Sequence, residues 1–200
     1  MKKLIFYYSA MNGGKSTALI QVAYNYEANN QKIVLVKSKK DTKAGNYLSA
    51  RNGQKRKVDI ILDSNDTLLS AANMKLISKS NCILVDEAQL LEEKQIEELF
   101  YLTKEKDIPV ICYGLKTDFR SKLFAGSKRL IELADEIEEL STIPLCSCGV
   151  KARFNARKIN GKYTLDGEQV SIDDGSVKNQ EYVPLCGKCY YEKVLQNKIS

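Results

Sequence analysis

A glycine-rich turn that ends in Lys-Ser constrains the fold more than any other feature of the chain. It lies between an apolar run, residues 4–8, and a helix-like run that begins at Lys15. In a strand–loop–helix unit of this kind, backbone N–H groups and the positive end of the helix surround phosphate oxygens. The lysine places a charge at the terminal phosphates of a nucleoside triphosphate, and the next hydroxyl reaches a magnesium ion. We therefore predict a phosphate-binding loop made of Ser9, Ala10, Met11, Asn12, Gly13, Gly14, Lys15, Ser16 and Thr17.

One position of this loop departs from the general pattern. Ser9 stands where the pattern has its first glycine. The alternative interpretation is a glycine-rich turn with a surface lysine. The flanking strand and helix favour the phosphate loop, because a bare motif lacks that context.

The composition suits one domain of ordinary size, or one domain with a small appendage. The chain has 200 residues, 44% of them hydrophobic, and no segment as long as a membrane span. The apolar run near Met1 is too short and too close to the phosphate loop for a signal peptide, so we expect a cytoplasmic protein. The net charge of +6 is compatible with an anionic substrate. The densest basic run, 51–57, lacks interleaved aromatic residues, which favours a solvated loop over a nucleic-acid patch.

Histidine is absent from the sequence. Ser-His-Asp and Cys-His catalysis and histidine metal ligands are therefore excluded. A general base would have to be a carboxylate or something less usual. A structural zinc ion would be held by cysteine alone.

Strand and helix signals alternate through the first two-thirds of the chain. Strands are predicted at 4–8, 32–37, 58–62, 82–87, 109–114 and 136–140, and helices at 15–29, 66–77, 92–106 and 124–134. A polar loop is expected at 38–57. This alternation predicts an α/β fold with a mostly parallel sheet covered by helices on both faces, of the RecA-like type found in phosphate-loop NTPases.

The pattern changes near Pro144, where cysteine pairs and β-prone runs replace the alternation. Asn160-Gly161 between two such runs predicts a β-hairpin. We therefore expect two domains: a nucleotide-binding domain at 1–141 and a small β-rich domain at 142–200.

Two acids end the apolar run at 82–85. Asp86 is placed where phosphate-loop enzymes hold the carboxylate that orients magnesium, and Glu87 follows it. Adjacent side chains of an extended chain point to opposite sides, so the two acids should have different roles. In ATPases such a glutamate activates water, whereas in small-molecule kinases a carboxylate accepts the proton of a substrate hydroxyl. Both acids also fit the simpler interpretation of polar residues that end a strand.

Four cysteines in the last third predict a structural zinc site. The pairs are Cys146-Ser147-Cys148 and Cys186-Gly187-Lys188-Cys189. In a cytoplasmic chain, paired thiolates indicate zinc rather than disulfides, and four protein ligands leave no open position for catalysis. Cys82 and Cys112 lie inside apolar runs and are interpreted as core residues.

Taken together, these segments resemble the zinc-containing thymidine kinases of bacteria and animals. The resemblance runs almost end to end, and Ser9 is itself usual among the bacterial members. The parts that carry it are 8–17, Asp86-Glu87-Ala88-Gln89, 113–120, Gly126-Ser127, 167–170 and Tyr182.

The resemblance implies transfer of the ATP γ-phosphate to the 5′-hydroxyl of thymidine. Glu87 would be the base, and Asp86 and Gln89 would join the phosphate loop in binding ATP and magnesium. A loop held by the zinc domain would close over the nucleoside, whose pocket would be formed by Met11, Leu115, Phe119, Phe124, Val170 and Tyr182. The family is typically a homotetramer, with no membrane or stable nucleic-acid binding expected.

Some positions differ from the family pattern. The first cysteine pair is one residue shorter than usual, and Lys43 stands where many members carry arginine. Leu90 replaces a common aromatic residue, and the segment after Ile172 is longer.

Two other classes of function remain open from the sequence. A zinc-ribbon ATPase that binds nucleic acid would also explain the basic balance and the cysteine pairs. A regulatory nucleotide-binding module without catalysis is the third, and Glu87 argues against it.

Overall fold

The computed structural model describes residues 2–42, 44–169 and 179–196. Lys43, Val170 and the segment after Ile172, which the sequence singled out, lie outside these ranges.

The described residues form three β-sheets and a set of mostly short helices. The strands are β1 (Leu4–Tyr8), β2 (Ile33–Ser38), β3 (Tyr47–Ser49), β4 (Lys55–Lys57), β5 (Ile60–Leu62), β6 (Cys82–Asp86), β7 (Val110–Gly114), β8 (Glu136–Glu139), β9 (Phe154–Ile159), β10 (Lys162–Thr164) and β11 (Gln180–Leu185). The helices are α1 (Lys15–Ala28), α2 (Ala71–Ile77), α3 (Glu93–Glu105), α4 (Ala125–Leu133) and α5 (Gly187–Tyr190), with a 3₁₀ turn at Ala88–Leu90 and a π-helical segment at Tyr191–Leu195. No helix in the described part of the chain is both long and apolar enough to cross a membrane.

The central sheet has six strands in the order β5-β2-β6-β7-β1-β8, and every neighbouring pair is parallel. The mostly parallel sheet predicted from the sequence is thus confirmed. Its carboxyl ends meet at one edge, which is where open α/β sheets hold their ligands. The register brings Lys37 of β2 beside Asp86 of β6 at that edge.

Apolar residues cover both faces of this sheet. On α3, Ile96, Leu99 and Leu102 recur at helical spacing and are fully buried. Burial of each such side chain contributes about 1.5–3 kcal/mol. Cys82 and Cys112 are likewise fully buried, as expected of core residues.

Two local predictions need correction. The helix expected from residue 66 begins only at Ala71, because Glu98 accepts hydrogen bonds from Thr67 Oγ1 (2.6 Å) and Leu68 N (2.8 Å) and keeps that segment non-helical. The segment expected as a polar loop at 38–57 contains the paired strands β3 and β4. Leu48 anchors this pair, since it is buried in the core around α1.

The third sheet is antiparallel, in the order β10-β9-β11. The predicted hairpin is confirmed: Asn160 (φ 50°) and Gly161 (φ 77°) adopt the left-handed conformations of a tight turn between β9 and β10. A separate small apolar core joins this sheet to the cysteines and includes Ala156, Leu185 and Tyr190.

Candidate active site

The segment between β1 and α1 folds as a tight loop. Asn12 and Gly14 have positive φ angles of 66° and 70°, and Gly14 directly precedes the first residue of α1. A Cβ atom on Gly13 would lie 2.3 Å from Ser9 Oγ, so only glycine fits opposite this serine. Ser9 is buried and its hydroxyl donates to Ala10 O (3.0 Å). The loop therefore accommodates Ser9 by pairing it with a glycine.

Asp86 ends β6 at the same edge of the sheet. It is 3% exposed, and its Oδ1 atom is buried with no hydrogen-bond partner in the part of the chain that the structure describes. Burial, and then the charges of Glu87 and Asp41, raise the pKa of Asp86 to about 7, while the ammonium of Lys15 opposes the shift. A hard cation would supply the missing partner of Oδ1, so these residues fit a magnesium ion.

A buried ion pair lies beside Asp86. The Nζ atom of Lys37, which is 1% exposed, lies 3.0 Å from Asp41 Oδ2. Asp41 also repels the charge of Asp86 and so raises its pKa. Two lysines and three carboxylates therefore converge at the carboxyl ends of β2 and β6.

Glu87 leaves the strand in a left-handed conformation with φ 46° and ψ 44°. Such a backbone is strained for a residue other than glycine, and strain of this kind concentrates at functional sites. Its Oε2 atom accepts a hydrogen bond from Gln89 Nε2, while Gln89 Oε1 accepts one from Leu115 N (3.0 Å). Buried Gln89 thus anchors the Glu87 carboxylate to the residue that follows β7.

Two glycines allow close packing around the 3₁₀ turn. A Cβ atom on Gly126 would lie 2.5 Å from Ala88 O, and one on Gly114 would lie 2.7 Å from Gln89 Oε1. The neighbouring Ser127 hydroxyl donates to Leu115 O (2.6 Å). This explains why the Gly-Ser pair at the start of α4 belongs with the acids.

The segment from 115 to 124 is a compact turn organised by Asp118. The Oδ1 atom of this buried carboxylate accepts hydrogen bonds from Arg120 N (2.8 Å) and Lys122 N (2.9 Å). Thr117 and Leu123 form a β-bridge across the turn. The turn carries the two aromatic residues predicted as pocket walls.

Phe119 of this turn contacts the three-stranded sheet β10-β9-β11, here called the small sheet. Phe119 and Phe124 are 1% and 6% exposed. The rings of Phe119 and Tyr182 meet edge to face, with centroids 6.4 Å apart. The structure thus brings together two predicted pocket residues that are far apart in the sequence, while Met11 and Leu115 are partly exposed nearby in the phosphate loop and after β7.

Two residues of β9 that the sequence analysis missed contact this region. Buried Asn155 accepts a hydrogen bond from Met11 N (2.8 Å) and donates to Thr117 O (3.2 Å). Arg157 lies over the face of Phe119, with its guanidinium carbon 3.9 Å from the ring centroid. Asn155 lies between the apolar residues Phe154 and Ala156, and Arg157 follows Ala156, a pattern that also describes a solvent-facing side. No local feature of the sequence separates the two possibilities.

The four predicted cysteines converge at the end of the small sheet. The Sγ atoms of Cys146, Cys148, Cys186 and Cys189 all lie within 4.8 Å of one another. Sulfur atoms in a tetrahedral zinc site are separated by about 3.8 Å, given Zn–S bonds of about 2.3 Å. The donor set therefore fits a structural zinc ion, in spite of the shortened first pair.

Comparison with known proteins places this arrangement among the nucleoside kinases. A family model described as thymidine kinase matches residues 2–190. A thymidine kinase of Streptococcus gordonii is 41% identical over 199 residues, covering 98% of this chain and 100% of its own. Those of Lactococcus lactis and Photorhabdus laumondii are 39% and 40% identical, over 96% and 97% of this chain and 98% and 94% of theirs.

Proposed function

The chain belongs to the thymidine kinase family, and from this premise we propose that it transfers the γ-phosphate of ATP to the 5′-hydroxyl of thymidine. The product would be thymidine monophosphate, so the reaction salvages a nucleoside for DNA synthesis. The observation that carries the proposal is the anchored carboxylate of Glu87, held through Gln89 beside the phosphate loop.

Glu87 is the proposed general base. Its carboxylate accepts the proton of the 5′-hydroxyl as that oxygen attacks the γ-phosphorus, and the bond to the ADP oxygen breaks. The hydrogen bond from Gln89 keeps the carboxylate in place, because the partly exposed side chain would otherwise be free to rotate. Glu87 is partly exposed whereas Asp86 is buried, which suits the former to meet a substrate.

ATP is assigned to the loop at 9–17 and to the acids beside it. The backbone N–H groups of the loop and the start of α1 would surround its phosphates, with Lys15 and Ser16 at the terminal ones. Asp86 would hold magnesium, which when bound neutralises phosphate charge and favours departure of ADP. The Oδ1 atom of Asp86, which has no hydrogen-bond partner among the described residues, supports this role.

Thymidine is assigned to the region where the turn at 115–124 meets the small sheet. Met11, Leu115, Phe119, Phe124 and Tyr182 are its proposed walls, and Val170 belongs to the segment proposed to close over it. Such a closed, apolar pocket would exclude water, which would otherwise accept the phosphate. We also propose that the two domains divide at 141/142 and that zinc stabilises the second, which is too small to rely on its own core.

The decisive test replaces Glu87 with glutamine. Glu87→Gln should lower kcat by about 10²–10⁴-fold, because the amide cannot accept the proton. The glutamine side chain keeps the size of glutamate and the contact with Gln89. Calorimetry should show ATP and thymidine bound with unchanged affinity. A variant that turns over at nearly the normal rate would contradict the assignment of the base.

The nucleic-acid-binding ATPase considered from the sequence is not favoured, since the family match covers residues 2–190. By resemblance to the family we propose a cytoplasmic homotetramer. Light scattering of the purified protein tests the assembly, and a monomer at micromolar concentration would refute it.

A further inference from the structure

One side of the small sheet faces the phosphate loop and the aromatic turn. On β9, Asn155 and Arg157 are two residues apart and therefore share a face, and Tyr182 of β11 is the direct partner of Arg157. All three contact the larger part of the molecule: Asn155 at Met11 and Thr117, and the other two at Phe119. This face therefore positions groups that belong to the site.

Arg157 is buried in an arrangement that is unusual for a cation. It is 3% exposed, and its Nε–H group is buried without a hydrogen-bond partner among the residues described. Its guanidinium stacks on the ring of Phe119 at 3.9 Å, and Nη1 donates to Glu168 O (3.4 Å). A buried cation held by a ring face and one backbone carbonyl is costly to desolvate, so packing alone does not account for it.

The same guanidinium also fits against the backbone that leads into the segment predicted to cover the nucleoside. Gly167 has a φ angle of 104°, which favours glycine, and a Cβ atom there would lie 2.2 Å from Arg157 Nη2, so this glycine allows the close approach. Phe119, Arg157 and the backbone at Gly167 and Glu168 therefore form a continuous series of contacts. Arg120 adds a second link, since its Nη1 donates to Gly167 O (3.3 Å).

We infer that Arg157 is a positioning residue of the nucleoside site, an inference that rests on the proposed function. Its planar guanidinium holds the Phe119 ring and the backbone at 167–168 in a fixed relation to each other. It therefore sets the affinity for the nucleoside rather than for ATP, because Asn155 is the residue of this face that reaches the phosphate loop. A lysine would replace it only in part, since an ammonium cannot lie flat on a ring while donating to a carbonyl.

The test compares Arg157→Met and Arg157→Lys with wild type. Lys162→Met is the control, since Lys162 lies on β10 of the same sheet with an exposed side chain. Thymidine and ATP affinities are measured by calorimetry. KM and kcat are measured for each substrate with the other substrate at a saturating concentration. Arg157→Met should weaken thymidine binding about tenfold and leave ATP binding within about twofold, with partial recovery in Arg157→Lys. The control should match wild type.

Zinc content and the melting temperature are measured on every variant, and if Arg157→Met does not fold, the comparison of Arg157→Lys with wild type decides. Unchanged thymidine affinity, or an equal loss for ATP and thymidine, overturns the inference. Tighter thymidine binding also overturns it, by showing that the guanidinium blocks the ring face instead of supporting it. A wild-type protein that does not phosphorylate thymidine refutes the proposed function itself, whatever the variants do.

Discussion

Replacing Asp86 with asparagine should stabilise the ligand-free protein while abolishing its activity. The carboxylate is almost fully buried, its Oδ1 atom lacks a partner among the residues described, and Glu87 and Asp41 repel its charge. An amide of the same shape removes that charge. Ionisation of the residue proposed to hold magnesium is therefore costly in the folded chain.

The size and sign of the effect follow from the raised pKa. The pKa of Asp86 is raised from an ordinary 3.8 to about 7. Between these values the folded state keeps a proton that the unfolded state has lost, so wild-type stability falls as the pH rises through the window. A shift of about three units at about 1.36 kcal/mol each corresponds to about 4 kcal/mol above pH 7. For a chain of this length that is on the order of 10 °C in melting temperature.

The assay is urea unfolding of wild type and Asp86→Asn, without nucleotide or magnesium, from pH 4 to pH 8. The two proteins should be similar near pH 4, and the variant should gain steadily up to about pH 7. Asp63→Asn is the control, because Asp63 is exposed and the hydrogen bond from Lys39 lowers its pKa, so that variant should not gain stability. If Asp86→Asn is less stable than wild type at pH 8, the reasoning is wrong. In a second measurement, added ATP and magnesium should stabilise wild type more than the variant.

Three further outcomes are expected. Gly126→Ala should cost about 1–3 kcal/mol in urea unfolding and lower kcat, because its Cβ atom would lie 2.5 Å from Ala88 O and displace the turn that bears the base. Cys186→Ser should release zinc by elemental analysis and weaken thymidine binding more than ATP binding; full zinc content would contradict the proposed ligand set. Asn155→Ala should cost about 1–3 kcal/mol by the same unfolding assay, since the Met11 N–H group loses its partner; an unchanged midpoint would show that water replaces the amide.

The main chain of the site could be predicted from the sequence because its signals are local. The phosphate loop follows an apolar strand and opens a helix, and Asp86 ends another strand, so each element identifies itself within a few residues. Parallel pairing then brings the strand ends to one edge of the sheet, as observed for Lys37 and Asp86. Each cysteine pair is likewise recognisable from its short internal spacing, and the structure brings all four cysteines together as predicted.

The contacts between the two sheets could not be predicted in this way. Asn155 and Arg157 alternate with apolar residues, and alternation does not distinguish a solvent-facing side from one that meets another part of the chain. Lys37 ends an apolar run, where a lysine ordinarily reaches solvent, yet it is buried against Asp41. Asn155 and Arg157 depend on partners that are distant in the sequence, and Lys37 depends on one that lies in a polar segment. The late start of α2 has a similar origin, since Glu98 of another helix holds the preceding residues.

Of the three buried side-chain atoms without a hydrogen-bond partner among the described residues, two lie at the proposed site, and the third, Arg56 Nε, lies on β4. Asp86 Oδ1 and Arg157 Nε are buried without partners among the described residues, and Glu87 holds a left-handed backbone that costs about 1–3 kcal/mol. Each is placed where a proposed ligand is expected: magnesium at the first, the nucleoside beside the second, and the attacking hydroxyl at the third. Asp86→Asn would therefore remove a single charge with two effects. Without ligand the protein gains stability, and with its ligand it loses activity.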